Sequence, residues 1–127
     1  NPKTRELIGA RELGLMKRSA YLVNTARGPI VDEPALVAAL TEGRIAGAGL
    51  DVFAVEPIAT DNPLIGLDNV ILSPHALCWT DECWRLCAET AFRNIVAVAR
   101  GEVPGPVVNR DVLGRDSFMA RLGANRQ

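Results

Sequence analysis

Apolar residues fall along this chain in short blocks of two kinds, compact runs and helical stripes. Ala20-Tyr21-Leu22-Val23-Asn24-Thr25 is a compact run closed by the turn residues Arg27-Gly28-Pro29, which predicts a buried strand. Ile45 to Val52 is a second such run, rich in glycine and alanine. Asn69 to Leu72 is a third, ended by Ser73-Pro74-His75. Between the first two, Leu36, Val37 and Leu40 make a helical stripe, with Asp32 as N-cap, Pro34 in the first turn and Gly43 as C-cap. A shorter helical run covers Arg11 to Lys17. Val55 to Leu67, punctuated by Pro57 and Pro63, reads as a loop.

The longest helix is predicted from its N-cap Thr80 to about Arg100. Trp84, Cys87, Ala88, Ala91, Ile95 and Val98 form a broad apolar face. Arg85, Glu89 and Arg93 follow at i,i+4 on the other side, with Glu89 and Arg93 placed to pair. Residues 101–127 are weakly patterned and interrupted by Gly and Pro. Val107-Val108 suits a short extended piece, and no element is assigned beyond Gly114. Strand, helix, strand, loop, strand, helix is an α/β order. Buried strands joined by crossovers imply a parallel sheet flanked by helices. Residues 1–100 are taken as one domain portion and residues 101–127 as a return segment and tail.

Composition narrows the function classes. Hydrophobic residues make up 48% and charged residues 23% of 127 positions, which is ordinary globular composition. The formal net charge of −1 argues against a nucleic-acid or anionic-membrane partner recognised by bulk charge. Asp81, Glu82, Arg85, Glu89 and Arg93 interrupt the one stretch long enough to span a bilayer. Three cysteines are too few for a secreted disulfide framework, and a single histidine argues against a structural zinc site. Reduced thiols and a cytoplasmic setting are the expectation.

In a parallel sheet, ligands bind beyond the carboxyl ends of the strands. Arg27 follows the first strand, Asp51 and Glu56 the second, and His75 the third, so these groups leave one edge of the sheet. Singly, each has a plain structural reading as a capping arginine, a loop carboxylate or a packed histidine. Together they make a chemical device. A guanidinium holds a carboxylate through two parallel hydrogen bonds. An imidazole gives or takes a proton near neutrality, and a carboxylate bonded to it orients it and favours its charged form. The device suits proton transfer at a carbon-bound oxygen of a small anion. No side chain here accepts a hydride, so a redox reading needs a cofactor. The run Ala46-Gly47-Ala48-Gly49 permits close approach, and Gly47 is read as a site of tight helix-on-strand packing. There is no G-x-G-x-x-G turn and no P-loop.

Four stretches carry a resemblance. Leu22-Val23-Asn24-Thr25-Ala26-Arg27-Gly28, Val31-Asp32-Glu33-Pro34-Ala35-Leu36, Gly47-Ala48-Gly49-Leu50-Asp51-Val52-Phe53 with Glu56-Pro57, and Asn69-Val70-Ile71-Leu72-Ser73-Pro74-His75 resemble, in order and spacing, the D-isomer-specific 2-hydroxyacid dehydrogenases. The likeness covers residues 1 to about 113. It implies the second half of a doubly wound, Rossmann-like nucleotide-binding domain. It also implies interconversion of 2-oxo acids and D-2-hydroxy acids with NAD or NADP. Arg27 would then bind the substrate carboxylate and keto oxygen, His75 would be the acid/base, and Glu56 would hold His75. Thr25, Ala26, Arg27, Asp51, His75 and Cys78 would line the nicotinamide end of the cofactor, Asp51 meeting its carboxamide.

The family's glycine-rich turn and its substrate domain are not in these residues, so the chain reads as a fragment. Taken alone it is expected to bind dinucleotide weakly or not at all, to turn over nothing, and to assemble into a homo-oligomer that covers exposed apolar surface. A corepressor-like NAD-sensing or protein-binding module of the same fold, and an inactive remnant, remain as alternatives. Trp79 resembles a residue of relatives that reduce glyoxylate or hydroxypyruvate, and equally suits a buried packing tryptophan.

Overall fold

A computed structural model describes residues 2–125, and the chain divides into two compact units, Asn1–Cys78 and Trp79–Gln127. The first unit runs α1 (Ala10–Gly14), β1 (Tyr21–Asn24), α2 (Glu33–Thr41), β2 (Gly47–Leu50) and β3 (Val70–Leu72). The three strands form one sheet in the order β1-β2-β3, parallel throughout, with Val23 beside Gly49 and Gly49 beside Ile71. The α/β reading and its parallel sheet are therefore what the chain adopts. The strands are shorter than their apolar runs. α1 ends at Gly14, earlier than the Lys17 expected, because the chain turns at Leu15 and sends Met16 onto the core.

Local chemistry explains where α2 begins and ends. The Asp32 carboxylate accepts from the Ala35 N–H at 3.2 Å, satisfying an otherwise unpartnered first-turn donor. At the other end Gly43 adopts φ 63°, its N–H donates to the Leu40 carbonyl, and the Arg44 N–H reaches the Ala39 carbonyl at 2.8 Å. This is a Schellman stop, and its left-handed residue favours glycine. Gly43→Ala meets no atom within 4 Å, so its cost is conformational alone, about 1 kcal/mol. Asp32→Ala should cost a similar amount. Both should lower the urea midpoint while leaving the denaturant slope unchanged.

The core lies on one face of the sheet. Ala48 and Leu50, with Leu22, Val70 and Leu72 at its margin, pack against Leu13 of α1 and Leu36, Ala39 and Leu40 of α2. The period-2 alternation sends Tyr21, Val23 and Ile71 to the opposite face, where they are 71%, 70% and 78% exposed. β1 is thus half exposed rather than buried. Both β1 and β3 are edges of this sheet. Gly47 also departs from its expected role. A Cβ there would stand 2.5 Å from the Asn69 carbonyl oxygen and 3.0 Å from the Tyr21 ring, so it makes room for neighbouring strands and not for a helix.

The second unit holds α3 (Asp81–Ala99), a 3₁₀ turn at Arg110–Gly114 and α4 (Asp116–Gly123). Thr80 caps α3, its hydroxyl accepting from the Cys83 N–H at 3.2 Å. Gly101 at φ 70° closes the helix with the same Schellman pair, onto the Val98 and Ala97 carbonyls. No α3 residue is buried, and Trp79 before it is 67% exposed, which removes the packing reading of that ring. Glu89 pairs with Arg85 at 2.8 Å and not with Arg93: one carboxylate faces a guanidinium a turn away on either side, and here takes the earlier. Val107 and Val108 form no strand. α4 was not expected; its Phe118 and Leu122 are four apart, and Leu122 is buried. The Asn125 amide ties the end of α4 to the Val98 carbonyl at 3.0 Å.

Candidate active site

Each strand of the first unit ends in a loop carrying a candidate group. β1 ends at Asn24, a buried amide with both ends committed to the following loop. Its Oδ1 accepts from the Ala26 N–H and its Nδ2 donates to the Arg27 carbonyl, each at 3.1 Å. That bracing sets the path of Thr25, Ala26 and Arg27, all three exposed. The Arg27 guanidinium donates to the Ala26 carbonyl at 2.6 Å and lines a cleft of about 510 Å³ with Pro2, Thr4, Arg5, Pro29 and Ile30. Gly28, next along, is buried. A Cβ there would lie 1.8 Å from the Phe53 carbonyl oxygen, so only glycine lets this loop rest on the loop after β2.

The loop after β2 carries Glu56. One carboxylate oxygen accepts from the Phe53 N–H at 3.0 Å, and the other meets His75 Nδ1 at 2.8 Å. Glu33, at the start of α2, holds the same loop through the Ala54 N–H at 3.0 Å and the Asn62 amide at 2.8 Å. The hydrogen bond from His75 is the main cause that holds the Glu56 carboxyl below its ordinary value. The Phe53 N–H and the positive field of His75 and Arg27 act in the same sense. With Nδ1 engaged by Glu56, Nε2 is the nitrogen left for a substrate.

β3 leads to His75 through Ser73. Asp51, at the end of β2 and 4% exposed, accepts from the Ser73 hydroxyl at 2.6 Å, the Ala76 N–H at 2.9 Å and the Leu77 N–H at 3.2 Å. Burial is the largest single influence on this carboxyl and pushes it up. The three hydrogen bonds, with His75 nearby, outweigh it and leave Asp51 below its ordinary value. Cys78, one residue past Leu77, is exposed. The structure therefore brings Glu56, His75 and the Asp51-bound turn together. Arg27 reaches them through its field on Glu56, with no direct bond to either partner. Asn24, Gly28, Glu33 and Ser73 were not singled out as site residues. Asn24 alone had a signal, a polar side chain closing an apolar strand.

The lowered Glu56 value makes stability pH-dependent with a definite sign. A carboxyl whose folded value lies below its unfolded one contributes in full above the unfolded value, about pH 4–5, and loses that contribution as pH falls through the folded one. Glu56→Gln should therefore be less stable than wild type near neutrality. The gap should narrow as the pH falls through the lowered folded value of Glu56. Urea unfolding of both proteins across that range checks it; a gap constant with pH would separate Glu56 from its His75 bond.

Among the described residues no group of three His, Cys, Asp or Glu side chains could hold a metal ion, and no helix is long and apolar enough to cross a membrane. A parallel α/β sheet with an arginine, a carboxylate–imidazole pair and a buried aspartate beyond its carboxyl ends has the form of the ligand-binding edge of a doubly wound α/β domain. Comparison with known proteins gives the family. Residues 1–76 match the model of the D-isomer specific 2-hydroxyacid dehydrogenase NAD binding domain. The glyoxylate reductase of Thermofilum pendens is 52% identical over 111 residues, 87% of this chain and 33% of that protein.

Two solved structures are also similar. A D-isomer specific 2-hydroxyacid dehydrogenase from Xanthobacter autotrophicus Py2, in complex with NADPH and MES, matches 86% of this chain and 43% of that one, with TM-score 0.71 and 44% identity. The D-lactate dehydrogenase of Lactobacillus jensenii with NAD+ matches 87% of this chain and 37% of that one, with TM-score 0.75 and 36% identity. The chain belongs to the D-isomer specific 2-hydroxyacid dehydrogenases, in the NAD-binding part of that family, and spans about a third of the length of the first curated relative it matches.

Proposed function

We propose that this chain supplies the substrate-anchoring and proton-transfer groups of an NAD(P)-linked D-2-hydroxyacid dehydrogenase, a cytoplasmic enzyme of the glyoxylate-reductase kind. The observation that carries the reading is the 2.8 Å bond between Glu56 and His75 Nδ1 at the sheet edge. It holds the imidazole by Nδ1 and leaves Nε2 for the substrate. In the reducing direction His75 gives a proton to the C2 oxygen of a 2-oxo acid, and in the oxidising direction it takes one from the hydroxyl. Glu56 engages Nδ1 and so sets the orientation of the ring. Arg27 holds the substrate carboxylate through a forked pair of hydrogen bonds.

The dinucleotide, when bound, supplies or accepts the hydride. The nicotinamide end suits this edge. Asp51 Oδ2 accepts a single N–H, from Leu77, and keeps a lone pair for a carboxamide N–H. Thr25, Ala26 and Arg27, with the segment from His75 to Cys78, border the same place. No glycine-rich turn in these 127 residues suits the pyrophosphate. Residues 1–100 accordingly act as the C-terminal portion of a nucleotide-binding domain, with residues 101–127 as a return segment. The exposed Tyr21, Val23 and Ile71 and the open β1 edge favour association of copies.

Two measurements test the reading. A chimera in which this chain replaces the matched 111 residues of the Thermofilum enzyme should reduce glyoxylate with NADH or NADPH. The chain by itself should show no turnover and should fail to saturate with NADH at micromolar concentrations. Sedimentation should find it dimeric or larger. A monomer that binds NADH at micromolar affinity, or a folded chimera with no activity, would overturn the proposal.

A further inference from the structure

The Asp51 carboxylate makes three hydrogen bonds, and all three go to the segment that carries His75. They reach it from both sides: Ser73 lies before the histidine, Ala76 and Leu77 after it. His75 itself has φ 56°, in the left-handed region that a residue with a Cβ enters only at a cost, and its N–H donates to the Ser73 carbonyl at 3.0 Å. Such a conformation persists where the surroundings over-determine it, and among the described residues the only buried side chain bonded to this turn is Asp51. We propose that Asp51 is a positioning residue for His75: its carboxylate fixes the Ser73–Leu77 turn and so presents imidazole Nδ1 to Glu56 and leaves Nε2 for the substrate. This role is separate from any contact with a cofactor. Its catalytic meaning rests on the reading of His75 as the acid/base; its geometry does not.

The chemistry calls for an aspartate. Both oxygens accept, Oδ1 from two donors and Oδ2 from one, and all partners are donors. An asparagine has one acceptor oxygen, so Asp51→Asn sets an N–H against at least one of the turn's own N–H or O–H groups. Ser73→Ala removes one donor and leaves the carboxylate its two backbone bonds.

The test uses the full chain without substrate or cofactor. Amide hydrogen exchange at Ala76 and Leu77 reads the turn. The carboxyl titration of Glu56 by carbon NMR reads the imidazole, because the His75 bond is the main cause that lowers it. Asp51→Asn should speed exchange at both amides about tenfold or more. It should also move the Glu56 midpoint upward, toward the ordinary carboxyl value. Ser73→Ala should do the same to a smaller extent, and Ser73→Thr should restore both signals. A Glu56 midpoint unchanged in Ser73→Ala and in Asp51→Asn would overturn the proposal. Should Asp51→Asn fail to fold, the Ser73 pair decides alone. Full turnover by a His75→Gln chimera would sink the acid/base reading and leave these spectra untouched, so the two failures are distinguishable.

Discussion

His75→Gln, carried in the glyoxylate-reductase chimera, is expected to lose about 10²- to 10⁴-fold in kcat, the range that general acid–base groups contribute. The amide of glutamine is close to the imidazole in size and still bonds to Glu56, so the loop should keep its place. What it lacks is a proton exchangeable near neutrality. Dinucleotide affinity should stay near the parent value, because glutamine fills the place of the imidazole and Asp51, the loop after β1 and the segment from Ala76 to Cys78 are unchanged. Arg27→Ala should behave differently. A guanidinium that holds the carboxylate acts before and during the reaction, so KM should rise while kcat falls. Steady-state kinetics with glyoxylate, alongside NADH binding to the same proteins, separates the two patterns. A His75→Gln chimera with near-parental kcat would show that the proton comes from elsewhere.

The parts of this architecture written in local chemistry were legible in the sequence. Asp32, Pro34 and Gly43 bracket α2, and Thr80 opens α3, because a cap is a bond between residues three to five apart. Arg27, Glu56 and His75 could be placed on one edge because parallel strands share a direction. Less legible was whatever depends on residues far apart in the chain. The apolar run of β1 does not say that Tyr21 and Val23 face outward; that follows from its register with β2 and the side on which α1 and α2 pack. Gly47 looked like a helix contact, yet its constraint comes from Asn69, twenty-two residues on. α4 hid because Gly114 and Gly123 bracket a stretch of only about two turns, too short for its apolar positions to show a helical period. Within the site, the carboxylate and the imidazole announced themselves by residue type. Asn24, Glu33 and Ser73, the residues that hold them in place, are ordinary polar side chains. Their partners, Arg27, Ala54 and Asp51, became visible only with the fold.

Gly28→Ala is expected to be the most damaging single methyl in the molecule. The added Cβ would stand 1.8 Å from the Phe53 carbonyl oxygen, 1.9 Å from its carbon and 2.6 Å from the Ala54 nitrogen. All three are backbone atoms and cannot swing aside as a side chain would. Relief to ordinary contact requires the loops after β1 and β2 to separate by roughly 1.5 Å or more. Neither is free to do so: Asn24 braces the first through Arg27, and Glu33 braces the second through Ala54 and Asn62. Overpacking against rigid surroundings costs about 3 kcal/mol or more, at the top of the usual range. The loss should be read as a lowered urea midpoint. Function should suffer beyond the stability loss, because Phe53 is the residue whose N–H holds Glu56. Displacing it by more than an ångström loosens the carboxylate and, through it, His75, and misplacement on that scale costs about 10²-fold in rate. Measured below its unfolding transition, the Gly28→Ala chimera should therefore show a depressed kcat as well as a lower midpoint. A Gly28→Ala protein with wild-type stability and rate would mean that the two loops do not meet as closely as this geometry requires.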